Sequence, residues 1–436
     1  YRISIATDEP QESRDTWLQL WNFQLEQKFE AASQDQLDPG ELAKVEPPAP
    51  AGTFPEAAPK LPNYGAPEVI ASLPGAPTDF VLRDMDGDRR PDVVAIVDGA
   101  VHVVTRGPDG KGVRSAIVLD GVSGPARALD LGQRRLGDTL AVVAGAGETL
   151  TLSEQSDALA ATSWSPSPVA LPSLGGEVRD RCTVDYDHDG DLDLFVVGSF
   201  GARILRNDGA GAAVDAQGEA LERGAWVDAT DVAGFTDAPL AWCDAEDFDG
   251  DNDVDLIAGG PGGAFLYDSL RRGQFREVGA ERLGPIGLSR RPALADLDGD
   301  ARPDLFVPDA KASRLLLQRT DGTFRTTETP YVVPEGASAP VAADIDLDGS
   351  FDLVWGTQER FAAGVLGVGT ATPLPFELEN AGGASNGPLF AQDVDGPRPG
   401  LPLAPELVRA RGADIVARRA TGGFGNAIYL KFIGQK

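Results

Sequence analysis

Between Asp185 and Phe195 the chain reads DYDHDGDLDLF, five aspartates in nine residues followed by an apolar run. Carboxylates this close repel one another, and the chemistry that uses them is the holding of a hard divalent cation. In a D-x-D-x-D loop the odd positions turn their carboxylates into one concavity, the oxygen cage that calcium prefers. The same register returns in DMDGDRRPDVV from Asp84, DFDGDNDVDLI from Asp247, DLDGDARPDLF from Asp296 and DIDLDGSFDLV from Asp344. The candidate metal residues are therefore Asp84, Asp86, Asp88 and Asp92 in the first loop, and Asp185, Asp187, Asp189, Asp191 and Asp193 in the next. Asp247, Asp249, Asp251, Asp253 and Asp255 follow, then Asp296, Asp298, Asp300 and Asp304, and last Asp344, Asp346, Asp348 and Asp352. A single Asp-Gly cluster would read as a solvated hairpin turn. Five copies in one register read as a repeat built for a purpose.

Each loop holds one glycine, at position four (Gly87, Gly250, Gly299) or position six (Gly190, Gly349), the residue that meets a torsional demand for positive φ at low cost. Five calcium ions would offset a third of the net charge of −30. That charge also argues against nucleic acid or an anionic membrane as partner, because both call for a basic face.

The elements that position these loops follow from their spacing. Two decayed copies, DLGQRRLGDTLAVV from Asp130 and DVDGPRPGLPL from Asp393, complete a series starting at 84, 130, 185, 247, 296, 344 and 393. The intervals of 46, 55, 62, 49, 48 and 49 residues suit a four-stranded propeller blade. A short apolar strand leads into each loop (FVL, RCTV, ALA, PVAA), and a β-rich run leaves it (DVVAIV, DLFVVG, DLFV, DLVWG). The expected fold is all-β, a seven-bladed β-propeller with calcium-binding loops over residues 66–436. In the second unit Arg134 takes position five, so a guanidinium is expected to stand in for the cation between Asp130 and Asp138. Pro397 and Leu401 displace ligands in the seventh, where no metal is expected.

These loops resemble those of FG-GAP (VCBS) repeats, the calcium-loop blades of integrin α chains. DYDHDGDLDLFVV, ARILRNDGAG and WVDATDVAGF leading into AWCDAEDFDGDNDVDL are similar to the ASPIC/UnbV branch, which includes cartilage acidic protein. NAIYLKFIGQK at the end resembles the first strand of that family's UnbV domain, or else closes blade seven. The resemblance implies side-chain ligation from positions one, three, five and nine and a backbone carbonyl from position seven. It also implies adhesion or assembly, outside the cytoplasm, where millimolar calcium fills even weak sites.

Residues 1–45 form an N-terminal segment, read as a short helix over 8–34 with Asp8 as cap and Trp17, Trp21, Leu25 and Phe29 at i+4 spacing. That stripe packs on the propeller or anchors a partner. Residues 46–65 are a Pro/Ala-rich linker. No apolar run reaches the length of a membrane span. The chain opens at Tyr1 rather than Met, which suggests processing or trimming, with any signal peptide or anchor upstream.

Cys182 and Cys243 precede their loops by three and four residues, and so face opposite ways from their sheets. That parity suits either a cross-blade disulfide or two buried free thiols. His188, at position four of its loop, reads as a surface residue, and with His102 the only other histidine there is no zinc or iron cluster. Neither a P-loop nor G-x-S-x-G appears, and no catalytic constellation stands apart from the loops. The function expected is a protein-binding or scaffold module. The alternatives are a secreted polysaccharide lyase or hydrolase, an oxidative tailoring component, or a carbohydrate-binding module using Trp164, Trp226, Trp242 or Trp355.

Overall fold

The computed structural model describes residues 63–84, 90–106, 113–119, 128–133, 140–146, 149–154, 169–188, 192–207, 226–270, 273–345, 350–357, 360–367, 370–379, 389–392 and 405–422. The chain divides into two compact units, of which residues 1–58 with 397–402 lie outside the described residues. So do the stripe from Trp17 to Phe29, Arg134, and the NAIYLKFIGQK segment. The second unit comprises residues 59–396 with 403–436.

Among the described residues its strands assemble into seven four-stranded antiparallel sheets and one two-stranded pair. Sheet I is Asp79–Arg83, Asp92–Val97, Ala100–Arg106 and Val113–Leu119, and sheet II is Ala128–Gln133, Leu140–Ala146, Thr149–Glu154 and Val169–Ala170. Sheet III is Val178–Val184, Asp193–Gly198, Gly201–Asn207 and Trp226–Asp228, and sheet IV is Trp242–Glu246, Asp255–Gly260, Gly263–Ser269 and Phe275–Glu277. Sheet V is Ala293–Ala295, Asp304–Val307, Arg314–Gln318 and Phe324–Glu328, and sheet VI is Val341–Ala343, Asp352–Gly356, Arg360–Gly367 and Thr370–Glu379. In sheet VII the strands Leu389–Gln392, Glu406–Arg411 and Asp414–Arg418 are completed by Glu68–Ser72 from the other end of the unit. Side-chain burial is described for at least three strands of sheets I, III, IV, V and VII, and for the first two strands of sheet VI. The arrangement is an all-β propeller.

The second strands of sheets I and III to VI explain the stacking. Asp92–Val97, Asp193–Gly198, Asp255–Gly260, Asp304–Val307 and Asp352–Gly356 are buried at every position, because a neighbouring sheet covers each face. Hence these strands read as continuous apolar runs rather than alternating ones. Every Val, Leu, Ile or Phe among them contributes about 1.5–3 kcal/mol of burial. The clusters they form cross from sheet to sheet. Phe195 and Val197 of sheet III pack with Leu256 and Ala258 of sheet IV, and Ile257 and Leu266 of sheet IV pack with Leu305 and Leu316 of sheet V. Phe306 and Leu315 pack with Leu353 and Trp355 of sheet VI, Val354 with Leu389 and Leu407 of sheet VII, and Val408 and Ile415 with Phe80 and Val93 of sheet I.

The strand pairing and burial bear on three sequence readings. The strand that completes sheet VII comes from Glu68–Ser72 and not from the C-terminal segment, and Asn63–Tyr64, assigned to the linker, pairs with Ala420–Gly422. Trp242 and Trp355, which sit in strands, are core as their strand positions suggest at 3% and 4% exposed, and Trp226, at 6%, is core as well, so none of the three presents a face to a sugar; Trp164 lies outside the described residues. Among the described residues no helix is long and apolar enough to cross a membrane.

Candidate metal centre

Each acidic loop joins the first strand of a sheet to its second. The chain can turn there because the position-one carboxylate satisfies the backbone of the turn itself. In sheet IV, Asp247 Oδ1 accepts from Gly250 N at 2.7 Å and Oδ2 from Asn252 N at 3.0 Å. In sheet V, Asp296 Oδ1 accepts from Gly299 N at 2.8 Å and Asp300 N at 2.9 Å, and Oδ2 from Ala301 N at 2.8 Å. Position five then holds position seven: Asp251 Oδ1 accepts from Asp253 N at 2.9 Å, and Asp300 Oδ1 from Arg302 N at 3.0 Å.

This wrapping demands left-handed backbone at two positions. In sheet IV both Gly250 (φ 77°) and Asn252 (φ 67°) are left-handed, and in sheet V both Gly299 (φ 81°) and Ala301 (φ 66°). His188, at position four in sheet III, has φ 62°. The torsional demand therefore falls on residues other than glycine too, and these carry strain of about 1–2 kcal/mol. Replacing Ala301 with glycine is expected to raise stability by about 1 kcal/mol, read as an upward shift of the urea midpoint at fixed calcium. Gly299→Ala, where a Cβ meets nothing within 4 Å, should lose a similar amount through torsion alone.

The loops gather carboxylates. Oxygens of Asp247, Asp249 and Asp251 lie within 4.8 Å of one another, as do those of Asp296, Asp298 and Asp300, and those of Asp185, Asp187 and Asp193. At an effective dielectric of about 20, two unit charges at such separations repel by roughly 3 kcal/mol. Asp298 shows the consequence. Burial, then Asp300 and Asp296, push its carboxyl up, and its buried Oδ1 has no hydrogen-bond partner among the described residues. An orphaned, buried oxygen in a ring of like charges fits a divalent cation. Asp86, Asp88, Asp189, Asp191, Asp346 and Asp348 lie outside the described residues, as do Asp138 and the seventh loop's Asp393.

Position nine has a part that sequence spacing did not reveal. Asp193, Asp255 and Asp304 open their second strands, at most 1% exposed, and each spends both oxygens on backbone. Asp193 Oδ2 accepts from Tyr186 N at 2.9 Å and Oδ1 from Asn207 N at 2.8 Å. Asp255 does the same with Phe248 N at 3.0 Å and Ser269 N at 2.7 Å, and Asp304 with Leu297 N at 2.9 Å and Gln318 N at 2.7 Å. Asp352 Oδ2 takes Ile345 N at 2.9 Å, and Asp92 Oδ1 takes Arg106 N at 2.9 Å. The position-nine carboxylate thus stitches its loop to the end of the third strand. Burial pushes Asp255 and Asp304 up to about 7 against these backbone donors. A carboxylate oxygen has a second lone pair, so the stitch leaves room for a cation, and Asp193 lies in the sheet III trio.

Guanidinium groups also border the loops. Arg282, on the short helix Gly279–Arg282, reaches Asp249 at 3.3 Å and Asp268 at 3.8 Å, and Arg302 pairs with Asp300. The internal cation expected of Arg134 thus has counterparts beside the acidic trios of sheets IV and V. His188 is not simply solvated: its Nε2 lies 3.5 Å from Asp253 Oδ1, joining the loops of sheets III and IV.

A second polar cluster joins the innermost strands. Arg291 pairs with Asp180 of sheet III and with Asp244 of sheet IV at 3.5 Å, and donates to the Cys243 carbonyl at 2.7 Å. Burial works against the Arg291 charge, but Asp180 and Asp244 outweigh it and hold the pKa above its ordinary value. With donors and acceptors matched, this cluster ties sheets together.

Comparison with known proteins bears on the same stretch. Residues 247–307, from the sheet IV loop to the end of the second strand of sheet V, match the family model of the FG-GAP-like repeat. A search of curated proteins finds no match. Among solved structures, BBS1N in complex with ARL6DN is similar at 12% identity and a TM-score of 0.52, over 84% of this chain and 100% of that one. A lectin of Agrocybe aegerita that recognises non-reducing terminal N-acetylglucosamine aligns at 16% identity and a TM-score of 0.49, over 71% of this chain and 81% of that one. The repeat match and the stacked four-stranded sheets together support an FG-GAP β-propeller.

Proposed function

We propose that this chain is an extracytoplasmic, calcium-stabilised propeller of seven blades, of the ASPIC/UnbV type, which works as a protein-binding or assembly module. One observation carries the reading: the same aspartate loop, closed by the same backbone bonds, recurs from sheet to sheet and draws three carboxylates together. Positions one, three and five supply ligands, and position nine supplies the stitch and a further oxygen. Calcium held there acts on shape. It fixes the loops at one end of every loaded sheet, and a rigid rim presents a partner with a preorganised surface. The broad face of a propeller suits such a partner. Among the described residues, the cluster of Arg291 with Asp180 and Asp244 spends its charges on one another, which favours a scaffold over an enzyme.

The test is the native mass of the particle isolated from its source in calcium and again after chelation. A particle much heavier than 45.7 kDa that sheds this subunit on chelation is the expected result. A monomer in both states would overturn the assembly reading.

A further inference from the structure

We propose that Cys182 and Cys243 are a redox pair that closes into a disulfide between sheets III and IV. The two residues lie on neighbouring innermost strands, Val178–Val184 and Trp242–Glu246, and belong to one apolar cluster with Phe195, Leu256 and Tyr267. Cys182 is the cross-strand partner of Phe195, and the Cys243 thiol points at that same residue, its Sγ 3.9 Å from the Phe195 carbonyl. The strands are clamped at this point. Asp180, two residues before Cys182, accepts the Cys243 N–H at 3.1 Å, and Arg291 binds both Asp180 and the Cys243 carbonyl. Both thiols are free in the structure. Burial, and after it the hydrogen bond to Cys182, push the Cys243 thiol well up, as two thiols side by side require.

The chemistry follows from their exposure. Cys182 is half-buried and meets an oxidant first, while Cys243 is fully buried. The oxidant is a small disulfide such as oxidised glutathione. Cys182 gives up its proton, and its thiolate attacks one sulfur of that disulfide, breaking the S–S bond and releasing one glutathione thiolate. Cys243 then loses its proton and attacks the Cys182 sulfur, expelling the second thiolate. Two cysteines are oxidised, one glutathione disulfide is reduced, and the two protons end on the two released thiols. The inference uses neither the calcium loops nor a partner, so it stands or falls apart from the proposed function.

The experiment incubates the full calcium-loaded chain with oxidised glutathione, quenches with acid, unfolds and alkylates it, and reads the intact mass. The expected wild-type product has lost two hydrogens, takes no alkyl group and keeps no glutathione. Cys243→Ser should retain one glutathione on Cys182, and Cys182→Ser should be alkylated at Cys243. The proposal is overturned if both cysteines are still alkylated when the urea-unfolded chain has fully oxidised. It is equally overturned by a glutathione that persists on wild-type Cys182, or by a bridge between two chains.

Discussion

Stripping calcium from the chain at neutral pH should lower its melting temperature by roughly 15 °C or more. An ion present at a hundred times its dissociation constant contributes about 2.7 kcal/mol, and five such ions acting on one cooperative ring contribute about 13 kcal/mol. Spread over the unfolding entropy of a domain this large, each kcal/mol is worth roughly 1–2 °C. The effect has a pH signature. In the stripped chain Asp255 and Asp304 have native pKa values raised from an ordinary 3.8 to about 7, so the native state binds more protons than the unfolded one. Their stabilising contribution is then complete below the ordinary value and lost as pH rises through about 7. The stripped chain should therefore become more stable as pH falls from 8 towards 5, while the loaded chain does not, because protons compete with its metal. Identical melting curves with and without metal at neutral pH would remove calcium from the account.

Asp304→Ala should cost about 2–6 kcal/mol, with or without calcium. Its carboxylate holds the backbone N–H groups of Leu297 and Gln318, residues only 4% and 3% exposed, and each buried donor left unmet costs about 1–3 kcal/mol. Asp304→Asn keeps one acceptor oxygen and should lose about half as much. Asp300→Ala is the contrast, because position five takes part in the acidic trio and spends no oxygen on the third strand. It should destabilise chiefly the calcium-loaded chain, the stripped chain losing only the Asp300 contacts to Arg302. Urea denaturation of the three variants in both states decides the matter: losses confined to the loaded form in all three would mean that position nine is a ligand and no stitch.

How much was legible in the sequence can be traced to particular residues. The repeat could be read because aspartate at fixed spacing and an apolar run after it are both local signals. The second strand is apolar throughout because sheets cover it on both sides, so DLFVV and DLIAG announce themselves without a partner strand in view. Position nine was visible as an aspartate but not as a stitch, since its acceptors' partners Asn207, Ser269 and Gln318 lie fourteen residues on and give only backbone N–H, which carries no residue type. The second left-handed position was hidden for the opposite reason. Asn252 and Ala301 bear strain there, and strain that the loop overcomes leaves no trace in composition. Trp226 looked available because its strand is short and flanked by loops; the stacking that buries it comes from Leu174 and Val196, far away in sequence. Arg282 reaches Asp249 across 33 residues, and only a folded sheet makes them neighbours.

The pairing of Glu68–Ser72 with Asp414–Arg418 sets a schedule for biogenesis. A ribosome making this chain from its N-terminus releases that strand early, and its hydrogen-bonding partner does not exist until residue 418 has been added. While the intervening residues are being added, the nascent propeller therefore has two unpaired edges, the condition in which β-structure is most prone to join a neighbouring chain. Sheets I to VI each consist of consecutive strands and can form as they emerge. The last sheet cannot, and its closure is the long-range step on which the rate of maturation depends.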